Sequence, residues 1–242
     1  MYKMNLSNRL KTVASLIPKG SVLADIGTDH AYLPIYALQN GIICRAICGD
    51  VREGPLLAAR KNVREANLED EIVIRKGDGL AVIEPDDQVD CITICGMGGS
   101  LITSILEQGK DQLTSVKALI LQPNNAAEQV RHWLINHNWK LAQEIILEEE
   151  GHIYEILLAR PDAGVRRSTY SEKALLFGPF LLKEKSVPFQ KKWAREKREW
   201  IRILDELQKA EETPEIQRKK ADLERKINWY EEVFSNETTE RS

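Results

Sequence analysis

The sequence predicts an α/β domain built on a mostly parallel sheet, followed by a separate helical hairpin. Three observations predict it. Short β-branched runs alternate with helical periods through the first 160 residues. Two further strand candidates, 140–148 and 152–160, are joined only by Glu149-Glu150-Gly151, too short for a crossover helix. Beyond Pro161-Asp162-Ala163-Gly164 the pattern turns wholly helical. A chain of 242 residues, 43% hydrophobic and 29% charged, can bury one large core and a smaller second one. The expected boundary puts residues 1–164 in the first domain and 165–242 in the second.

Each element has its own signal. Leu6, Leu10, Val13, Ala14 and Ile17 form one helix face, which Pro18 stops. Strands are expected at 21–26, 45–50, 72–75, 89–95 and 118–122. Helices fall between them near 31–40, 54–66, 98–108 and 126–137. Near-continuous apolar strands between helices imply a parallel sheet covered on both faces. Five such units closing on an antiparallel hairpin are the layout of a class I methyltransferase domain, a Rossmann-like seven-stranded sheet. In the tail, a short helical segment (171–184) is interrupted by Gly178-Pro179. Two long helices follow. Phe189, Trp193, Trp200, Leu204 and Leu207 stripe the first; Ile216, Leu223, Ile227, Tyr230 and Phe234 follow heptad spacings in the second, so the pair reads as an antiparallel coiled coil. Thr213-Pro214 supplies an N-cap and a first-turn proline.

Composition narrows the setting. No apolar run reaches the roughly 18 residues of a membrane helix, and the first residues lack a secretory signal, so a cytoplasmic location is expected. Four cysteines are too few for a disulfide scaffold. Cys44/Cys48 and Cys91/Cys95 invite a metal reading, but residues four apart on a strand lie about 13 Å apart. They read as core hydrophobes, and no metal is expected. The net charge of −3 argues against nucleic acid only when taken whole. Residues 1–164 carry −6 and residues 165–242 carry +3; the window 183–202 carries eight basic and three acidic residues. A local basic patch governs polyanion binding more than the total does.

The chemistry concentrates at predicted strand ends. Asp25 closes the first strand, and Gly27 sits in the turn to the next helix. Asp50 ends the second strand, where an acid can accept from both ribose hydroxyls. Asp78, in Gly77-Asp78-Gly79, follows the third and can accept from an adenine amino group. Each alone could be a solvated turn residue. Together they describe a cup for adenosine. A G-x-G-x-x-G phosphate cradle is missing, and Asp29 stands where its second glycine would be. A carboxylate there repels a pyrophosphate but suits the sulfonium and amino group of S-adenosylmethionine, which favours that cofactor over NAD. After the fourth strand comes Cys95-Gly96-Met97-Gly98-Gly99, whose glycines let a flat substrate approach the backbone. It is neither Asn-Pro-Pro-Tyr nor a hydrolase elbow. Gln122-Pro123-Asn124 offers amides at the same rim.

These residues resemble a known family. Ser7-x-Arg9-Leu10, the run from Ala24 to Pro34, Gly77-Asp78-Gly79-Leu80, Gly96-Met97-Gly98-Gly99, Leu121-Gln122-Pro123-Asn124 and Gly178-Pro179-Phe180-Leu181 are similar to the bacterial tRNA (adenine(22)-N(1))-methyltransferases, the TrmK family. The similarity spans nearly the whole chain. It implies an S-adenosylmethionine-dependent enzyme that methylates N1 of adenine 22 in the tRNA D-arm, with tRNA as partner and no obligate protein partner. Asp50-Val51 departs from the Glu of some members, though either carboxylate can hold a ribose. The expected cofactor contacts are Asp25, Gly27, Thr28, Asp29, Asp50, Val51, Asp78, Gly79, Gly96 and Met97. The expected substrate pocket is Arg9, His30, Tyr32, Gly98, Gln122 and Asn124.

Adenine N1 lies on the pairing edge, so the base must leave the helix. Its lone pair is free at neutral pH, so no base is needed, and positioning is worth about 7–11 kcal/mol at most. Asp29 is the catalytic candidate, stabilising charge on the methylated ring; holding the methionine amino group is its other reading. His30 reads as pocket lining or as a capping residue, Tyr32 as a stacking platform or as packing. Lys191, Lys192, Arg195, Lys197, Arg198 and Arg202 read as tRNA phosphate contacts or as a solvated helix face. Methylation of another RNA or a small molecule, a non-catalytic RNA-recognition module and NAD redox chemistry remain as alternatives.

Overall fold

Helices and strands alternate as α1 (Asn8–Leu16), β1 (Ser21–Ile26), α2 (Tyr32–Gln39), β2 (Ile43–Asp50), α3 (Glu53–Glu65), β3 (Ile72–Lys76), β4 (Cys91–Gly98), α4 (Gly99–Gln108), β5 (Ala118–Asn125) and α5 (Ala127–Asn136). β6 (Trp139–Glu149) and β7 (His152–Pro161) close the series. The computed structural model describes residues 6–162, 164 and 169–235. It divides the chain into two units, Met1–Thr169 and Tyr170–Ser242. Ala163 of the expected linker lies outside the described residues.

The strands of the first unit form one sheet in the order β3-β2-β1-β4-β5-β7-β6. β1 to β5 are parallel, and β7 inserts antiparallel between β5 and β6. This is the seven-stranded sheet expected from the sequence. Side chains alternate across it. Leu23, Ala46, Cys48, Cys91, Ile120, Ile156 and Leu158 pack with α1, α2 and α3 through Val13, Ile35, Ala59 and Val63. Their strand neighbours Ala24, Ile47, Ile92, Leu119 and Leu157, equally buried, point to the other face. Ser7 starts α1 by accepting the Leu10 N–H at 3.2 Å.

Two strands end three residues later than the sequence predicts. β4 continues to Gly98 and β5 to Asn125, because Met97 pairs with Pro123 and Gly98 with Asn125 after two register shifts. The glycine segment is therefore a bulged strand end, with Gly96 at φ 76°, instead of a free loop.

The other surprise of this unit is a buried charge cluster. Arg131 on α5 is 0% exposed. Its Nε donates to Glu144 Oε1 of β6 and its Nη2 to Glu155 Oε2 of β7, both at 2.6 Å. Burial disfavours the guanidinium charge, but the two carboxylates outweigh it and hold its pKa above the usual range.

In the second unit, α6 (Glu172–Phe177) and α7 (Leu181–Glu184) precede the long helices α8 (Val187–Gln208) and α9 (Pro214–Phe234). Thr213 caps α9 by accepting the Ile216 N–H at 3.3 Å. The long helices run antiparallel: Phe189 stacks on Phe234, Lys197 pairs with Glu231, and Ile203 and Leu223 share a groove near the turn. Phe177, Phe189, Trp193 and Trp200 are buried in linked aromatic contacts, whereas Leu204, Leu207, Ile216 and Leu223 are only half-buried. Among the described residues no helix is long and apolar enough to cross a membrane.

Candidate active site

The sheet order reverses at β1, between β2 and β4, and the crevice outside the strand ends at such a point is where open α/β sheets take their ligands. A cavity of about 510 Å³ lies there, within the usual range for a small-molecule site. Asp25 of β1, Asp50 of β2, Cys95, Gly96 and Met97 of β4, Asn124 of β5, the 27–30 turn, and Arg9 of α1 line it.

Asp25 is the most deeply set of the acids lining the cavity, 5% exposed. Thr28 Oγ1 donates to one of its oxygens at 2.7 Å and Thr93 Oγ1 to the other at 2.6 Å. Burial pushes its pKa up to about 6, against the pull of the two hydroxyls. The same carboxylate ties Thr28, and with it the turn, to the strand. That turn is strained: Gly27, Asp29 and Ala31 all lie in the left-handed region, at φ 70°, 52° and 57°. Each non-glycine residue held so costs roughly 1–2 kcal/mol, and such strain gathers at functional sites. A Cβ on Gly27 would come within 2.1 Å of Met97 Cε. Asp29 is exposed at the cavity mouth, 3.6 Å from His30 Nε2. His30 stacks on Tyr32 at 5.1 Å between centroids, and Tyr32 is 40% exposed.

Asp50, 6% exposed, accepts the Arg52 N–H at 2.8 Å. Its backbone carbonyl receives Gly77 N–H at 3.2 Å, which draws the 77–79 segment beside it. On the opposite wall Arg9 donates to Gln122 Oε1 and lies over the Tyr154 ring, 5.1 Å from its centroid. Gln122 Oε1 also accepts Gly96 N–H at 3.0 Å, so its Nε2 must point away, to Asn124 Oδ1 at 3.1 Å. Asn124 Nδ2 then donates to Gly96 O at 2.8 Å. Two pure donors thus fix both amide orientations.

Of the residues expected at the site, Arg9, Asp25, Gly27, Thr28, Asp29, His30, Tyr32, Asp50, Gly96, Met97 and Asn124 come together around the cavity. Val51, Asp78, Gly79, Gly98 and Gln122 do not line it. Val51 turns to solvent, Asp78 is exposed past the end of β3, and Gly79 faces Ile105. Gly98 packs on Asn125, and Gln122 is fully buried beneath Arg9. Of the four cysteines read as core, Cys48 and Cys91 are buried in it and Cys44 is exposed, while Cys95 packs against the core and also lines the cavity; burial, then the Asp25 charge, raise the Cys95 pKa, so it stays a neutral thiol. Leu10, Leu33, Arg52 and Tyr154 were missed. Tyr154 carries no local signal, because it enters from a strand far along the chain.

These features fit a cationic adenosyl cofactor. Three carboxylates face the cavity, and the turn offers left-handed kinks where a pyrophosphate site has a glycine cradle opening a helix. The residues suit S-adenosylmethionine and oppose a diphosphate.

Comparison with known proteins agrees. Residues 23–232 match the sequence model of the TrmK family, described as tRNA (adenine(22)-N(1))-methyltransferase. A Bacillus subtilis tRNA (adenine(22)-N(1))-methyltransferase is 44% identical over 240 residues, covering 98% of this chain and 100% of the relative. The crystal structure of the B. subtilis M1A22 tRNA methyltransferase TrmK superposes with a TM-score of 0.88 at 43% identity, covering 96% of this chain and 99% of the other. A Streptococcus pneumoniae structure in complex with S-adenosyl-L-methionine has a TM-score of 0.85 at 42% identity, covering 95% and 99%. With this match over nearly the whole chain, and an acid-lined cavity at the reversal point of its sheet, the chain belongs to the tRNA (adenine(22)-N(1))-methyltransferase family.

Proposed function

We propose that the chain transfers a methyl group from S-adenosylmethionine to N1 of adenine 22 in tRNA. The observation that carries this reading is the ring of Asp25, Asp29 and Asp50 around one cavity at the strand ends, in a chain of this family. Bound S-adenosylmethionine supplies an electrophilic methyl group. Asp50 would accept from the ribose hydroxyls. Asp25 and Asp29 would face the cationic end. The target base needs no deprotonation, so the protein's work is to orient it and to stabilise the charge its ring acquires. Asp29, strained and at the mouth, is the residue for that stabilisation. The His30–Tyr32 stack offers an exposed aromatic face on which an extruded base could lie.

The second unit is proposed to contact tRNA through α8. Lys191, Lys192, Arg195 and Arg198 lie on it. Lys197, which pairs with Glu231, and Arg202, which bridges Glu199 and Glu206, would exchange one anion for another on binding phosphate.

The decisive experiment is nucleoside mass spectrometry after incubation of the chain with unmodified tRNA and cofactor. N1-methyladenosine is expected, and its formation should stop when adenine 22 is replaced. An N6-methylated product, or none with cofactor bound, would refute the reading. Proton uptake gives a second expected result. A carboxyl held near pH 6 when folded favours the folded state fully below the ordinary value of 3.8, and that advantage is lost as pH rises through 6. Ionised Asp25 favours the cationic cofactor. Affinity for S-adenosylmethionine should therefore be flat above neutrality and weaken by about tenfold for each pH unit below 6. Calorimetric titrations of Asp25→Asn should lack that slope; an unchanged slope would assign it to another group.

A further inference from the structure

We propose that Glu149 is a positioning residue for methyl transfer: from the last position of β6, at the hairpin with β7, it fixes the first turn of α1 and thereby sets Arg9 over the cavity. The proposal rests on reading the cavity as the methyl-transfer site. Glu149 does not line that cavity. Its Oε1 accepts the Asn8 N–H at 2.5 Å and its Oε2 the Arg9 N–H at 3.2 Å. With Ser7 on Leu10 N–H, three of the first backbone donors of α1 are satisfied, two of them by one carboxylate 140 residues away in sequence. A negative group also suits the positive end of a helix. Solvent could satisfy these exposed donors nearly as well, so what the carboxylate adds is a fixed location for the turn.

The fixed residue is Arg9. Its backbone is held by Glu149 while its guanidinium reaches Gln122 Oε1 and lies over the Tyr154 ring. Its Nη1 lies 3.8 Å from where a Cβ on Gly96 would stand. Glu149 is paired with His152, and Tyr154 follows two residues later on β7. One hairpin therefore supplies both the anchor for the Arg9 backbone and the platform for its side chain. Through Gln122, Arg9 in turn fixes the polarity of Asn124 and the position of Gly96. A loosened first turn would blur this whole wall while leaving Asp25 and Asp50 in place.

The test uses the full chain, unmodified tRNA and a double-mutant cycle. Glu149→Ala should lower kcat/KM for tRNA by about tenfold or more, as small misplacements at a reacting centre do. Affinity for S-adenosylmethionine should stay within about twofold of wild type, the coupling being confined to the other wall. Glu149→Gln, which keeps one acceptor, should recover part of the loss. Arg9→Ala should lower kcat/KM by a similar factor, and adding Glu149→Ala to it should cost nothing more. Losses that multiply, an equal loss of cofactor affinity, or an unimpaired Glu149→Ala would each overturn the role given to Glu149. An inactive wild type would overturn the underlying reading instead.

Discussion

Asp50→Ala should weaken S-adenosylmethionine binding by about 30- to 100-fold, since hydrogen bonds to a charged group contribute about 1.5–3 kcal/mol each. The carboxylate is 6% exposed at the end of β2, and the Arg52 N–H holds Oδ1 at 2.8 Å. Its orientation is thus set before any ligand arrives. The control is S-adenosylhomocysteine, which keeps the ribose and loses the sulfonium charge. Asp50→Ala should weaken both ligands equally, because the ribose is common to them. Asp25→Asn should weaken the charged donor selectively. Equal selectivity in the two variants would mean that the two acids do not divide the ligand between them as proposed.

Arg131→Met should destabilise the first unit by about 3–5 kcal/mol, read from urea denaturation of the full chain. The substitution keeps an apolar stem of similar length and strands Glu144 and Glu155, which are 2% and 3% exposed. The cost arises from those two uncompensated carboxylates more than from the lost ion pairs. Replacing all three residues by apolar side chains of matching volume should therefore recover most of the loss. A single-variant effect below about 1 kcal/mol would show that water reaches the site readily.

The two residues differ in how far they could be read from sequence. Asp50 was legible because a carboxylate after an apolar strand has a chemical reason to be there. Arg131 was not. It sits in an amphipathic period next to residues such as His132, where an arginine ordinarily reads as surface. Only the pairing of β6 with β7 brings Glu144 and Glu155 onto one face beneath it. The order of elements followed from periodicity because hydrophobic spacing is local. The ends of β4 and β5 were missed because pairing between strands lengthened them. At the site the same division holds. The 25–30 turn was visible as a run of residues, whereas Tyr154 and the anchoring Glu149 are brought in by topology. Gln122 was recognised, but its buried role under Arg9 needed the third dimension.

The uneven interior of the α8–α9 hairpin has a mechanical consequence. Its aromatic root, Phe189, Trp193 and Trp200 with Phe234 against them, is where cohesion is concentrated. The turn end is held by aliphatic side chains that remain half in water. Thermal opening must begin at the turn and travel rootward, so amide protons near Leu207 and Ile216 should exchange with solvent long before those near Trp193. The arm is stiff where it starts and compliant where it ends, able to adjust its tip to a curved surface without melting its base.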